Sequence, residues 1–292
     1  TTVIKNLIRS ICFNDNTYGI FGYDKTGDLS EQAEFANVLL IAFSPFDNFS
    51  EFFNGTPEIP FSYIGLQGHN GDLFQTIEDY FYESFEQCMG NRRKRELWLK
   101  LINILTSDPT FDELSIDSAV KDVLSDEKDK LSQSMLVDVR QRFSNLSSGH
   151  KVVLLIITHC VNLIEEKSLM FIEEPENHLH PPLLSALIRT LSVLLTDRNG
   201  VGIISTHSPV VLQEVPNNCV WALRRSDQKL IAERIGFQTF GASIGSLTNE
   251  VFKFEVTKSG FHKLLSEAVE KYGTYEDVVN YFNNQLGDEA II

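Results

Sequence analysis

One run constrains this chain more than any other: Leu169-Met170-Phe171-Ile172-Glu173-Glu174-Pro175-Glu176-Asn177-His178-Leu179-His180-Pro181. Its apolar start shows no polar alternation, the pattern of a strand covered on both faces in a parallel sheet. The strand delivers two adjacent carboxylates to its C-terminal end, where Pro175 halts it. Successive side chains on a strand point to opposite faces, but at a strand end the chain bends and both carboxylates can approach one site. One can complete the oxygen shell of a magnesium ion. The other can orient and deprotonate an attacking water. Phosphoryl transfer asks little more of protein side chains than positioning and charge neutralisation. Taken alone, Glu173-Glu174-Pro175 reads equally well as an acidic cap before a turn.

The surrounding pattern places this run in an α/β chain. Val38 to Phe43 reads as a buried strand ended by Ser44-Pro45, and Phe61 to Gln67 as a second strand running into Gly68-His69-Asn70-Gly71. From Asp72 to about Ser144 apolar residues recur at helical spacing (Phe74, Ile77, Tyr80, Phe81, then Leu97, Leu101, Ile104, Leu105), with dense charge from Asp122 to Lys130. We read this stretch as a helical insertion. Ser147-Ser148-Gly149 then opens a long apolar helix over 150–165, with Ser147 at the N-cap. Strand 168–172, helix 182–196, strand 201–205, a short helix after Pro209, strands near 219–224 and 230–235, and two helices over 261–286 complete the alternation.

Size and charge bound the function. With 292 residues and 42% hydrophobic content, the chain is long enough for one large domain or two lobes. A net charge of -15 argues against a broad nucleic-acid-coating surface. Two basic spots remain, Arg92-Arg93-Lys94-Arg95 and Arg224-Arg225, each either a solvated face or a local phosphate contact. The longest apolar run, Val152 to Ile157, is too short to span a bilayer and reads as a buried helix. No secretory signal is visible in a chain that opens on Thr rather than Met. Cys12, Cys88, Cys160 and Cys219 form no close pair, which suits buried reduced thiols in a cytoplasmic protein.

Three further segments carry chemistry. Ser147-Ser148-Gly149 at a helix start presents backbone N–H groups, hydroxyls and a positive helix end, which suit a γ-phosphate. His207 follows strand 201–205, between Thr206 and Ser208, where it can hydrogen-bond a phosphate or the attacking water. Gln67, at the end of another expected strand, offers an amide oxygen to the metal.

The order of these parts is more specific than any of them. It resembles the Q-loop, helical lobe, signature motif, Walker B, D-loop and H-loop of ATP-binding cassette (ABC) ATPases. The resemblance implies an ABC-ATPase head: α/β, with a mainly parallel central sheet covered by helices plus a helical insertion lobe. Its parts would be residues 1–71 (the N-terminal part of the core), 72–146 (insertion), 147–255 (core with signature, Walker B, D-loop and H-loop) and 256–292 (C-terminal helices). It implies ATP and Mg2+ as cofactors, Glu173 and Gln67 on the metal, and Glu174 and His207 as the catalytic pair. Ser147, Ser148 and Gly149 would close over phosphates bound by a second protomer.

Two departures stand out. The G-x-x-x-x-G-K-[ST] phosphate loop does not occur. The opening Thr1-Thr2-Val3-Ile4-Lys5 looks like the helix that follows such a loop, cut just after its Lys; Thr1 would then be the hydroxyl ligand of Mg2+ and Thr2 its neighbour. Glu173 also stands where the family carries Asp. The extra methylene displaces the carboxylate by about 1 Å, a scale that matters to phosphoryl-transfer geometry. Slow hydrolysis is expected, with ATP acting more as a clamp than as fuel. The signature ends in His150 rather than Gln, a change expected to matter less.

Glu176-Asn177-His178-Leu179-His180-Pro181 and Ser205-Thr206-His207-Ser208-Pro209 resemble ATPases of the chromosome-maintenance and overcoming-lysogenization-defect type rather than transporter cassettes. The spacing of His178 and His180 fits the D-loop of that family, so they are not read as a metal pair. Phe43 to Asp47, Tyr63 to Leu66, Gln238 to Gly241 and Glu255 to Phe261 resemble the ATPase subunit (PtuA) of Septu-type anti-phage systems and its retron-associated relatives. That resemblance implies a homodimer or higher homo-oligomer through the ATP sites, and a separately encoded HNH-type nuclease. DNA, or a reverse transcriptase with its DNA product, is a further implied partner; a membrane is not. The C-terminal helices either meet a partner or merely cover the sheet. A DNA-repair ATPase acting without a dedicated nuclease is the alternative, although the insertion lacks the sustained heptads of a long arm. A transporter motor is the remoter one.

Overall fold

The computed structural model describes residues 2–15, 17, 35–44, 49, 52, 55–65, 76–114, 120, 133–226, 229–252, 260–287 and 290. The expected charged hairpin at 122–130, Thr1 and Gln67 lie outside them. The chain divides into two compact units, Thr1–Ser208 and Pro209–Ile292.

The first unit is built on an all-parallel four-stranded sheet in the order β2-β1-β3-β4, with β1 Val38–Ala42, β2 Phe61–Gly65, β3 Leu169–Glu173 and β4 Val201–Ser205. Every residue of β1 and β3 is buried, which explains their unbroken apolar sequence. The period of two sorts their side chains into two cores. Leu39, Ile41, Met170 and Ile172 face one side, and Val38, Leu40, Leu169 and Phe171 the other.

Helix α1 (Thr2–Phe13) covers the second face through Ile4, Ile8 and Cys12, spaced at one helical turn. The first face carries α2 (Ile77–Met89), α3 (Arg92–Leu105), α4 (Pro109–Leu114), α5 (Gln133–Ser144), α6 (Ser148–Leu163) and α7 (Pro181–Asp197). Caps set several of these starts. Thr76 accepts from the Asp79 N–H at 3.2 Å, and Asn91 from the N–H groups of Arg93 and Lys94. Phe81 of α2 stacks on Phe143 of α5 with ring centroids 4.0 Å apart, and Trp98 of α3 donates to the Thr158 hydroxyl of α6 at 2.9 Å. These aromatic contacts belong to the core that the helices share with the first face of the sheet.

The basic spot at 92–95 is not one exposed face. Arg95 is buried and donates to the Met89 carbonyl, and Lys94 donates to the Asn162 carbonyl, so Arg92 and Arg93 alone look outward. Long cations bury their stems readily where a carbonyl meets the head group.

The second unit contains α8 (Pro209–Gln213), an antiparallel hairpin of β5 (Trp221–Ser226) and β6 (Lys229–Arg234), α9 (Ile244–Val251), α10 (Gly260–Tyr272) and α11 (Tyr275–Tyr281). Leu212, Val220, Ile235 and Leu247 form its buried cluster. Among the described residues no helix is long and apolar enough to cross a membrane.

Candidate nucleotide site

In an open parallel sheet, ligands bind beyond the carboxyl ends of the strands. Gly65, Ala42, Glu173 and Ser205 stand in register along that edge. Glu173 closes β3 rather than following it, and only 2% of it is exposed. Alternation puts its side chain on the same face as Leu169 and Phe171, the face that α1 covers. A carboxylate is costly to bury without charge compensation. Its hard oxygens suit magnesium. The other two expected ligands, Thr1 and Gln67, lie outside the described residues, and Thr2 opens α1 as an exposed residue.

Glu174 leaves the strand by a different route. Its φ is +43°, a left-handed conformation that costs a non-glycine residue on the order of 1–3 kcal/mol. The turn is held by its N–H, which donates to the Ser205 carbonyl at 2.8 Å, and by the Asn177 N–H, which donates to the Glu174 carbonyl at 3.1 Å. The carboxylate thereby reaches sideways across the edge. Its Oε1 lies 3.4 Å from His207 Nε2, and its Oε2 accepts from the Asn177 amide at 3.1 Å. The His207 side chain is largely exposed, so one lobe of this pair faces solvent where a substrate phosphate can enter.

Glu176 was not singled out by the sequence, yet it organises the site. Its carboxylate accepts from the Thr206 hydroxyl at 2.9 Å and from the His207 N–H at 2.6 Å. Thr206 Oγ1 in turn accepts from the Ser208 N–H at 2.9 Å. One carboxylate therefore fixes the segment that presents His207. No spacing rule reveals this, because the partners are separated by 30 and 31 residues.

The signature segment is placed by close packing. Ser147 occupies the N-cap position of α6, as expected, but its side chain makes no capping bond; its Oγ lies 2.6 Å from His150 Nδ1 instead. Ser148 is exposed at the helix start, while Gly149 is buried. A Cβ at Gly149 would lie 2.8 Å from the His178 carbonyl oxygen, so only glycine lets the signature helix approach the turn after β3 so closely. A cleft of about 520 Å3 opens here, lined by Ser148, Lys151, Glu78 and His178 among others. Lys151 donates to Glu78 at 2.8 Å and holds that carboxyl below its ordinary range.

The structure thus gathers Glu173, Glu174, Glu176 and His207 at one sheet edge and sets Ser147 to Gly149 against the turn that begins there. Residues 76–213 match the family described as "AAA domain, putative AbiEii toxin, Type IV TA system". This region therefore resembles an AAA-family domain. The matched stretch includes Ser147, Ser148, Gly149, Glu173, Glu174, Glu176 and His207. The chain is also 38% identical over 307 residues to Protein ea59 of Escherichia phage lambda, an alignment that takes in 99% of this chain and 58% of that relative. The chain therefore spans little more than half the length of the relative it matches.

Proposed function

We propose that this protein binds ATP and hydrolyses it slowly, that two copies associate head-to-tail around two nucleotides, and that this association controls a separately encoded HNH-type nuclease in anti-phage defence. The observation that carries the ATPase reading is the pairing of Glu174 with His207 at 3.4 Å on the carboxyl edge of β3 and β4. In this reading Glu174 takes the proton of an attacking water, and His207 holds that water or the γ-phosphate. Glu176 keeps His207 in reach. Glu173, with Thr1 and Gln67, would hold Mg2+, which supplies charge neutralisation on the phosphates. The segment Ser147 to Gly149 opens a helix whose N–H groups suit phosphate, and it would act on nucleotide held by the second copy. ATP then favours the closed pair by its differential affinity for it. The larger reading rests on the resemblance of the segments around Phe43, Tyr63, Gln238 and Glu255 to Septu-type ATPase subunits, and places the protein in the cytoplasm.

The test uses the full-length protein expressed with its neighbouring genes. Affinity capture should retain an HNH-type nuclease in an ATP-dependent manner, and phage plating should fall only when both genes are intact. ATP-dependent self-association with no nuclease retained and no effect on plating would leave an ATPase and discard the defence role.

A further inference from the structure

Three chain segments converge on one buried carboxylate that the proposed chemistry does not use. Asp108, in the turn between α3 and α4, is 2% exposed. His150 Nε2 lies 3.1 Å from its Oδ1, and His180 Nε2 lies 3.6 Å from its Oδ2. His150 is itself buried, with Phe111 of α4 edge-on to its ring at 5.0 Å, and Ser147 Oγ meets its other nitrogen at 2.6 Å.

Proton bookkeeping fixes the direction of this chain. His180 Nδ1 accepts from the Leu183 N–H at 3.4 Å as the N-cap of α7, so in the neutral ring Nε2 carries the proton and points it at Asp108. A carboxylate only accepts, so the His150 Nε2–H donates to Oδ1. In the neutral His150 ring Nδ1 is then an acceptor, and the Ser147 hydroxyl donates to it. Asp108, His150 and His180 do bring three possible metal-ligand atoms within 4.8 Å of one another. With Nδ1 of His180 accepting, however, Nε2 of the neutral ring presents a proton rather than a lone pair, and it meets Asp108 only as a longer polar contact at 3.6 Å.

We propose that Asp108 and His150 are positioning residues that hold Ser147 Oγ in place at the signature end of α6 for nucleotide carried by a second copy of the chain. The idea rests on the head-to-tail reading above. The oxygen is held in place before the partner arrives, which reduces the ordering cost of closure. The hydroxyl proton is the exchangeable end of the chain: a phosphate oxygen competes with His150 for it while the oxygen stays put. Through His180 the same carboxylate links the helical lobe to the start of α7. The lobe's position and that of Ser147 are therefore set together.

The experiment is a double-mutant cycle on the full-length protein: wild type, Ser147→Ala, Asp108→Asn and the pair, each measured for ATP binding under dilute, monomeric conditions and for ATP-dependent association. Wild type must associate with ATP; if it does not, the head-to-tail reading fails before this inference is reached. Each single variant should raise the ATP concentration for half-maximal association about tenfold and leave ATP binding by the monomer unchanged. The double variant should be no worse than Ser147→Ala, because Asp108 acts through Ser147. Additive losses, or a loss in monomer binding, would overturn the proposal and make Asp108 a structural residue. His150→Asn, which keeps an acceptor near the Nδ1 position, should weaken association less than His150→Gln; the reverse order would contradict it. A stoichiometric zinc ion in the purified wild type, lost in His180→Ala, would also overturn it.

Discussion

The backbone N–H of His207 donates to the Glu176 carboxylate at 2.6 Å, and so a residue three positions after the end of β3 determines where His207, in the loop after β4, stands. The Thr206 hydroxyl shares the same carboxylate. Glu176→Ala removes the acceptor for both donors. Only the Thr206 hydroxyl is part-buried, so the loss should be about 1 kcal/mol. Denaturant unfolding should show a loss of that size, and turnover should fall at least tenfold with ATP binding largely kept. A variant with wild-type turnover would mean that His207 is held by something else.

In the proposed reading Glu173 takes the place of an Asp. If its extra length is what slows the reaction, Glu173→Asp should speed ATP hydrolysis, by up to about a hundredfold given the sensitivity of such sites to displacements near 1 Å. Equal or slower turnover would remove the explanation for a slow clamp.

Gly149 lies within α6, where Gly→Ala ordinarily gains about 1 kcal/mol in helix propensity. Here the added methyl meets the His178 backbone at 2.8 Å, and backbone cannot step aside cheaply. Overpacking of this kind costs about 1–3 kcal/mol, so the net effect should be destabilising. Thermal unfolding of Gly149→Ala should start earlier; a rise in midpoint would show that the two segments are not in contact.

Burial pushes the Cys12 and Cys88 thiols up to about 12, and pushes the Cys160 thiol up as well. A thiol reacts as its thiolate, so these three should resist alkylation in the native protein at neutral pH, while the exposed Cys219 is labelled. Reaction should reach the buried three only on unfolding, or as pH climbs toward their raised values. Mass spectrometry after brief iodoacetamide treatment reads this directly, and labelling of Cys160 in folded protein would contradict the packing of α6.

Much of the fold was legible because β1 and β3 are buried on both faces and so carry runs no helix of that length would need. The position of the carboxylate pair at a strand end was legible for the same reason, because the apolar run of β3 stops at Glu173. The partners of those carboxylates were not. Glu174 adopts a left-handed backbone that no glycine announced, and Glu176 meets Thr206 across a gap that only strand order closes. Asp108 was hidden more completely, as an ordinary turn acid until α6 and α7 bring His150 and His180 to it. His150, read as a minor departure in the signature, turns out to be the residue that Ser147 leans on.

In the proposed function Glu174 activates water for ATP bound at this edge, while binding itself drives association. Glu174→Gln keeps the shape and removes the base, whose contribution is commonly a hundredfold or more. The deciding measurement is sedimentation of full-length Glu174→Gln with and without Mg-ATP, beside its turnover. Turnover should fall about a hundredfold or more, with ATP still converting the protein to a stable dimer holding two nucleotides. Unchanged turnover, or a variant that neither binds ATP nor associates, would contradict the proposed function.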